Sequence, residues 1–348
     1  MADGDDPSPS GPGIVGARPG VVNSAAAAII RAAVDAPRPR ILYIAGAGRS
    51  GSTLLAMLLG GLPGCTAVGE LRHIWERGVL GNRLCGCGEP FHDCPFWSQV
   101  GQTAFGGWDG VDAERQAARL MRVGRQRHFP LVAAGAGSAR FRAELEAYAG
   151  LQARVYRAVA AVSGDAAIVD SSKSPVYALT LRTAGLDVDV IHLVRDSRAV
   201  AYSWTRSRAM QDTAAPEYMP TFGPAWSSLT WMSNNLAVDA VRGRGLRPRV
   251  VRYERLVAGP ARELVGALGD GLPAAARSAL RAGGDAGEFS VGVQHTVAGN
   301  PVRMQSGPLR LRVDDAWRTS MPAGDRRLVT LLTFPLLARY GYARREDD

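Results

Sequence analysis

A short glycine-rich segment carries the residue types of an anion-binding site. Residues 46–53, named the glycine-rich loop below, include Arg49, Ser50, Gly51, Ser52 and Thr53. Glycines allow the backbone to approach a ligand closely and to turn its N–H groups toward it. The planar guanidinium group of Arg49 can bind two oxygens of a phosphate or sulfate group at once. We therefore expect this loop to bind an anion.

The flanking sequence predicts a strand before this loop and a helix after it. The apolar run Ile41–Ala45 is typical of a buried strand, and Ser52–Leu59 has the pattern of a helix. The spacing of the loop resembles that of a nucleotide P-loop, except that Ser52 occupies the position of the lysine. Because Arg49 is the only cation in the loop, we expect a phosphate-like donor that lacks a triphosphate tail and is bound without a metal.

Two further charged residues follow predicted strands and could take part in group transfer. Glu70 ends a short strand that begins at Cys65, and a strand parallel to the first would bring it to the same edge of the sheet. Its carboxylate could remove the proton of an acceptor hydroxyl, and His73 is the alternative base. Lys173 follows a buried strand, in a polar turn where its ammonium group could stabilise negative charge on a transferring group.

A second anion site is predicted after the next strand. Arg195 directly follows the apolar strand Asp189–Val194. Ser203 and Arg206 lie three residues apart on the helix predicted to come next, so both side chains could approach the same ligand oxygens. Arginine and hydroxyl side chains together suit a phosphate monoester.

Taken in this order, the segments resemble the motifs of bacterial sulfotransferases that use 3′-phosphoadenylyl sulfate (PAPS). The motifs are also similar to those of tyrosylprotein and carbohydrate sulfotransferases. The glycine-rich loop resembles the Arg-Ser-Gly-Ser/Thr-Thr pattern that binds the 5′-phosphosulfate of PAPS. Arg195-Asp-Ser-Arg, with Ser203 after it, resembles the element that binds the 3′-phosphate. The resemblance implies that the catalytic residues are Glu70, Lys173 and Arg49, and that Arg72 lies in the active site.

Two later motifs extend the resemblance. Tyr253 matches a family tyrosine that contacts the cosubstrate, and Gly299, Asn300 and Arg303 match a loop that closes over the nucleotide in bacterial members. The resemblance implies an α/β protein with a P-loop-type three-layer α/β/α fold and a central parallel sheet. The implied reaction moves a sulfuryl group from PAPS to an acceptor hydroxyl and releases adenosine 3′,5′-bisphosphate.

Composition limits the partners. We interpret residues 1–38 as a disordered tail with a short helix and residues 39–345 as one sulfotransferase-like domain.

The net charge is +9, but no run of five basic residues occurs, so we expect no nucleic acid partner. The absence of a membrane span and of a signal peptide predicts a cytoplasmic protein. The expected acceptor is a small molecule (a carbohydrate, glycolipid or phenolic metabolite), and the oligomeric state stays open.

A group of cysteines leaves several chemistries open. Cys85, Cys87, His92 and Cys94 could bind zinc, but the Cys-x-Cys spacing is tighter than in usual zinc pairs and no second pair follows. We expect no metal here, and thiols that are free or oxidised in a loop packed by aromatic residues. The sequence does not decide between a metal, a disulfide and free thiols.

Two other functions are compatible with the same motifs. A strand that ends in Asp170 resembles the magnesium-holding element of nucleotide triphosphatases, so a metal-dependent P-loop nucleotide kinase or hydrolase is the first alternative. The second alternative is a non-catalytic nucleotide-binding module.

Overall fold

Strands and helices alternate over most of the chain. The protein is described here by a computed structural model that covers residues 39–207, 209–213, 217–284 and 288–343. The tail predicted at residues 1–38 lies outside these described residues. No helix in the covered ranges combines the length and apolarity that crossing a bilayer requires.

The strands are β1 (Arg40–Gly46), β2 (Cys65–Gly69), β3 (Ala167–Lys173), β4 (Asp187–Val194), β5 (Arg249–Arg252), β6 (Glu288–Val291) and β7 (Gly307–Arg310). The helices are α1 (Ser52–Gly60), α2 (Pro95–Phe105), α3 (Ala113–Val123), α4 (Phe129–Ala134), α5 (Ala139–Ser163), α6 (Pro175–Thr183), α7 (Ser197–Thr205), α8 (Pro224–Ala240), α9 (Tyr253–Ala258), α10 (Pro260–Leu268), α11 (Ala274–Gly283), α12 (Trp317–Ser320) and α13 (Ala323–Arg339). A π-helix spans Ile74–Leu80.

The central sheet has five strands in the order β2-β3-β1-β4-β5, and neighbouring strands are parallel. β1 lies in the middle, where Ile41 pairs with Ile168 on one side and with Val188 on the other. A parallel strand with both faces covered exposes no side chain to water, which explains the continuous apolar run in β1. The predicted central parallel sheet is confirmed.

Helices cover both faces of this sheet. Successive side chains of β1 point to opposite faces, so each face contributes to a separate core. Ile41 and Tyr43 enter a core that α5 and α6 share. Leu42 and Ile44 enter a second core with α1, α10 and α11. The predicted three-layer α/β/α arrangement is therefore confirmed.

The strand order gathers the charged segments at one edge of the sheet. The glycine-rich loop follows β1, Glu70 follows β2, and Arg195 follows β4. β3 continues past Asp170, through an irregularity in its register with β1, and ends at Lys173. The lysine is therefore at the strand end itself, not in a turn beyond it. Carboxyl ends of parallel strands are the usual place for ligand binding in such folds.

A late segment of the chain joins the same edge. Val297 forms a single parallel bridge with Gly69 of β2. The Val297 N–H donates to the Val68 carbonyl at 2.9 Å, and the Glu70 N–H donates to the Val297 carbonyl at 2.7 Å. This contact holds the backbone of Glu70 and brings residues 298–300 close to it.

Candidate active site

A cavity of about 420 Å³ opens at the carboxyl edge of the sheet. Most of the predicted site residues line it: Arg49, Gly51, Ser52, Thr53, Glu70, Lys173, Arg195, Ser203, Tyr253, Gly299 and Asn300. Ser50 is buried and lies outside the cavity wall. The structure thus brings both predicted anion sites, which are 146 residues apart between Arg49 and Arg195, into one cavity.

Two cations in this cavity have a backbone conformation that is rare for non-glycine residues. Arg49 has a φ of 65° and Lys173 a φ of 67°, both in the left-handed region. Such conformations cost about 1–3 kcal/mol and persist only where the surrounding structure fixes them. Both side chains line the cavity, so the strained backbone lies at the two positions that bring a positive charge to the cavity wall.

Aromatic side chains press against the glycine-rich loop. The Arg49 guanidinium lies 4.8 Å from the centroid of the Trp204 ring. Gly51 has a φ of 90°, and a Cβ at this position would lie 2.5 Å from Cδ2 of Tyr253. Only glycine therefore meets both the conformation and the space at the residue that precedes α1.

The variant Gly51→Ala tests this contact. We expect a loss of about 1–3 kcal/mol in the free energy of unfolding because alanine is strained at this φ and collides with Tyr253. Urea unfolding measures the loss. Gly150 of α5 is the matched control, because its Cβ would meet nothing within 4 Å and its φ is ordinary. Gly150→Ala should keep or raise stability; equal losses in both variants would contradict a special role for Gly51.

Glu70 and Lys173 form an ion pair in the cavity. Lys173 Nζ donates a hydrogen bond to Glu70 Oε1 and another to the Ser171 carbonyl at 3.2 Å. Burial raises the pKa of Glu70, but the Lys173 ammonium and His73 outweigh burial and hold this pKa below its ordinary value. Glu70 is therefore a carboxylate at neutral pH, which is the form that a general base requires.

Two residues near Glu70 that were predicted to belong to the site lie outside the cavity wall. His73 Nε2 is 4.0 Å from Glu70 Oε2, and His73 Nδ1 is 3.6 Å from Glu76 Oε2. His73 does not line the cavity. Arg72, expected in the active site, donates to the Gly124 carbonyl at 3.1 Å and is also outside the cavity wall. Of the two candidate bases, Glu70 is the one that faces the cavity.

Several contacts hold Arg195 in place in the wall of the same cavity. It is 5% exposed, and its guanidinium lies 4.5 Å from the centroid of the Tyr253 ring. Nη1 donates to the Arg49 carbonyl at 3.1 Å, and Nη2 lies 3.1 Å from Oδ2 of Asp314. The backbone of one predicted anion site is thus bonded directly to the side chain of the other.

The helix after Arg195 supplies one predicted residue and not the other. Ser203 lies in α7 and lines the cavity. α7 ends at Thr205, so Arg206 is not on the helix, and it is exposed and outside the cavity wall. The expectation that Ser203 and Arg206 share one helix face is wrong because the helix stops one residue too early.

Gly299 and Asn300 of the late loop line the cavity, whereas Arg303 of the same loop bonds to other parts of the protein. The Asn300 N–H donates to Thr53 Oγ1 at 3.4 Å, which joins this loop to the start of α1. Arg303 is 3% exposed and does not line the cavity. Its guanidinium donates to the Thr296 and Leu84 carbonyls, both at 2.7 Å, and pairs with Asp212. The position of Arg303 therefore gives no support to a contact with the donor.

Arg77, Trp204 and Asp314 are among the cavity-lining residues that sequence reasoning missed. Trp204 directly follows Ser203, so its place in the motif was a usable signal. Arg77 lies in the π-helix at residues 74–80, a conformation that the sequence pattern did not indicate. Asp314 pairs with Arg195 in the cavity wall, and no local sequence pattern indicates that Asp314 belongs to the site.

Asp170, the predicted magnesium ligand of the alternative function, is fully buried and outside the cavity wall. Its carboxylate accepts hydrogen bonds from the Tyr156 hydroxyl and from the Ser172 N–H at 2.6 Å. Burial raises its pKa to about 6. Asp170 therefore braces the end of β3 and is poorly placed to hold a metal beside a nucleotide.

The cysteine group has a different histidine from the one expected. His92 is on the exposed side of its loop, where Nε2 lies 2.9 Å from the Val79 carbonyl. His295, 201 residues after Cys94, lies with Nδ1 3.2 Å from its sulfur. The ligand set that the sequence suggested, with His92, is therefore wrong in its histidine.

Comparisons with known proteins give no family model and no curated protein that matches this chain. Several solved chains are similar to it, and two of them are described here. The sulfotransferase domain from the Synechococcus PCC 7002 olefin synthase is 20% identical over 89% of this chain and 98% of that domain, with a TM-score of 0.43. Sulfotransferase STF9 from Mycobacterium avium is 12% identical over 90% of this chain and 81% of its own, with a TM-score of 0.44. Both proteins are named for the family that the ordered motifs of this sequence resemble.

Proposed function

We propose that this protein is a sulfotransferase that moves a sulfuryl group from PAPS to a hydroxyl group of a small molecule. The observation that carries the proposal is that the loop around Arg49 and the pair Arg195 and Ser203 line one cavity. A donor with phosphates on both its 5′ and 3′ carbons needs two such anion sites within the length of one nucleoside. A nucleoside triphosphate does not need the second site.

The roles follow from the positions of the side chains. Arg49, Ser52 and Thr53, with the backbone at Gly51, hold the 5′-phosphosulfate at the start of α1. Arg195 and Ser203 hold the 3′-phosphate. Tyr253, Trp204 and Met219 also line the cavity and give the nucleoside a largely apolar wall that excludes water.

The transfer itself is a displacement at sulfur. The acceptor oxygen forms a bond to sulfur while its proton passes to the Glu70 carboxylate, and the bond from sulfur to the 5′-phosphate oxygen breaks. The electron pair of that bond stays on the phosphate, so adenosine 3′,5′-bisphosphate leaves with additional negative charge. The Lys173 ammonium stabilises this charge. As Glu70 takes up the proton, its attraction for Lys173 weakens, and the ammonium becomes available to the leaving oxygen.

The metal-dependent kinase or hydrolase has less support. Ser52 stands where a P-loop carries its lysine, and Asp170 is engaged by Tyr156 and Ser172 instead of facing the cavity. The proposal also includes the predicted organisation: residues 39–345 form one catalytic domain, which acts in the cytoplasm on a carbohydrate, glycolipid or phenolic metabolite.

Calorimetric titration of the full chain separates the two enzyme classes. We expect adenosine 3′,5′-bisphosphate to bind at least about tenfold more tightly than ATP with Mg²⁺, a difference of about 1.4 kcal/mol. Tighter binding of ATP with Mg²⁺ would contradict the proposal. PAPS with labelled sulfur, offered with sugars, glycolipids and phenols, then tests turnover. Binding without transfer to any of these acceptors would favour the non-catalytic module.

A further inference from the structure

Four metal-ligating side chains meet outside the nucleotide cavity. The donor atoms of Cys85, Cys87, Cys94 and His295 all lie within 4.8 Å of one another. Cys94 is at the centre: its sulfur is 3.7 Å from those of Cys85 and Cys87 and 3.2 Å from His295 Nδ1. None of these four residues lines the nucleotide cavity.

Four of the six distances between these donor atoms are close to the edges of a tetrahedral zinc site. With a Zn–S distance of about 2.3 Å, two sulfurs at tetrahedral positions lie about 3.8 Å apart. The 3.7 Å separations are close to this value, whereas the sulfurs of a disulfide are only about 2.05 Å apart. With a Zn–N distance of about 2.0–2.1 Å, a sulfur and a nitrogen lie about 3.6 Å apart. His295 Nδ1 is 3.2 Å from Cys94 and 3.8 Å from Cys85, on either side of that value.

The protein encloses much of this cluster. Cys85 and Cys94 are buried, and the His295 ring stacks on Phe96 with 5.0 Å between the centroids.

Two segments from distant parts of the chain build the cluster. The Gly86 N–H, between the first two cysteines, donates to the Thr296 carbonyl at 3.1 Å. A Cβ on Gly86 would collide with the Gln294 carbonyl and with Thr296 Oγ1, so the two segments pack backbone against backbone. This contact is what brings His295 to the cysteines and leaves His92 outside.

We propose that Cys85, Cys87, Cys94 and His295 bind one Zn²⁺ ion as a structural site. Three thiolates and one imidazole are a set that selects zinc, and four protein ligands leave no open position for a water or a substrate. The ion joins residues 85–94 to the segment around Val297, which bonds to the backbone of Val68 and Glu70. Zinc binding therefore helps to hold the backbone of Glu70, the proposed base, in place. The proposal does not depend on the sulfuryl transfer reaction.

Metal analysis of the full chain, expressed with added zinc and passed through a desalting column, tests the site. We expect about one zinc per chain in the wild type. Cys94→Ser and His295→Asn should each lose most of it. His92→Asn and Cys65→Ala are matched controls, since His92 points elsewhere and Cys65 is a buried cysteine outside the cluster. Both should keep the zinc content of the wild type.

Replacement of zinc by Co²⁺ gives a second readout that does not depend on the variants. Tetrahedral thiolate ligation produces strong thiolate-to-metal absorption in the near ultraviolet and intense visible bands. Wild-type protein without zinc or with iron instead, a Cys85–Cys94 or Cys87–Cys94 disulfide found by mass spectrometry, or an octahedral cobalt spectrum would each overturn the proposal. A loss of zinc in His92→Asn with retention in His295→Asn would overturn the ligand set.

Discussion

Replacement of Glu70 by glutamine is expected to lower kcat for sulfuryl transfer by a factor of about 10²–10⁴, the usual contribution of a general base. Glutamine keeps the size of the side chain and can still accept a hydrogen bond from Lys173, so the cavity should keep its shape. Affinity for adenosine 3′,5′-bisphosphate should change little, because this product carries no acceptor proton. The measurement is release of the bisphosphate with any acceptor that the wild type sulfates.

Glu76 provides the matched control for this variant. Its carboxylate is exposed and lies near His73 instead of facing the cavity. Glu76→Gln should retain activity within a few-fold. If Glu70→Gln kept full activity while His73→Asn lost it, the assignment of the base would be wrong and the histidine would take its place.

The pH profile distinguishes the two bases without a substitution. The pKa of Glu70 lies below its ordinary value because Lys173 and His73 outweigh the effect of burial. The carboxylate therefore stays charged until the pH falls below the ordinary glutamate value of about 4.3, and the acid limb of kcat/KM should lie below it. An imidazole base would instead place this limb near about pH 6.5. The stability that the ion pair gives to the fold should be lost over the same acidic range.

Replacement of Arg195 by alanine is expected to weaken binding of adenosine 3′,5′-bisphosphate by about 2–5 kcal/mol, the cost of truncating one partner of a buried hydrogen-bonded charge pair. This corresponds to about 30- to 5,000-fold in Kd. The 3′-phosphate would lose a guanidinium that Arg49, Asp314 and Tyr253 already hold in place. Such preorganisation reduces the ordering cost of binding.

Adenosine 5′-phosphate, which has no 3′-phosphate, isolates the interaction. The wild type should bind it much more weakly than the bisphosphate, and Arg195→Ala should bind the two with similar affinity. Calorimetry of both ligands with both proteins forms a thermodynamic cycle that cancels general damage to the cavity. Arg206→Ala is the control because Arg206 is exposed and beyond the end of α7. Equal losses for both ligands in Arg195→Ala would contradict the role given to Arg195.

The sequence determined the parts of this protein that depend on local pattern. The apolar run before the glycine-rich loop predicted a buried strand, and the fold class follows from the repetition of strand and helix. Gly51 was recognisable because its neighbours form a loop at a strand-to-helix junction. The positions of Glu70 and Arg195 after predicted strands were enough to place them at the ligand-binding edge, and the structure has both there.

The tertiary structure alone decided which distant residues meet. The pairing of Glu70 with Lys173, 103 residues later, follows from β2 and β3 being neighbours, and spacing along the chain does not encode strand order. Arg303 matched a motif, yet its side chain turned to Asp212 because burial of a guanidinium demands a charged partner. His295 reached the cysteines across 201 residues through a backbone contact that no periodicity records. Local sequence sets the kinds of side chain and the type of each element, whereas side-chain direction and long-range packing choose their partners.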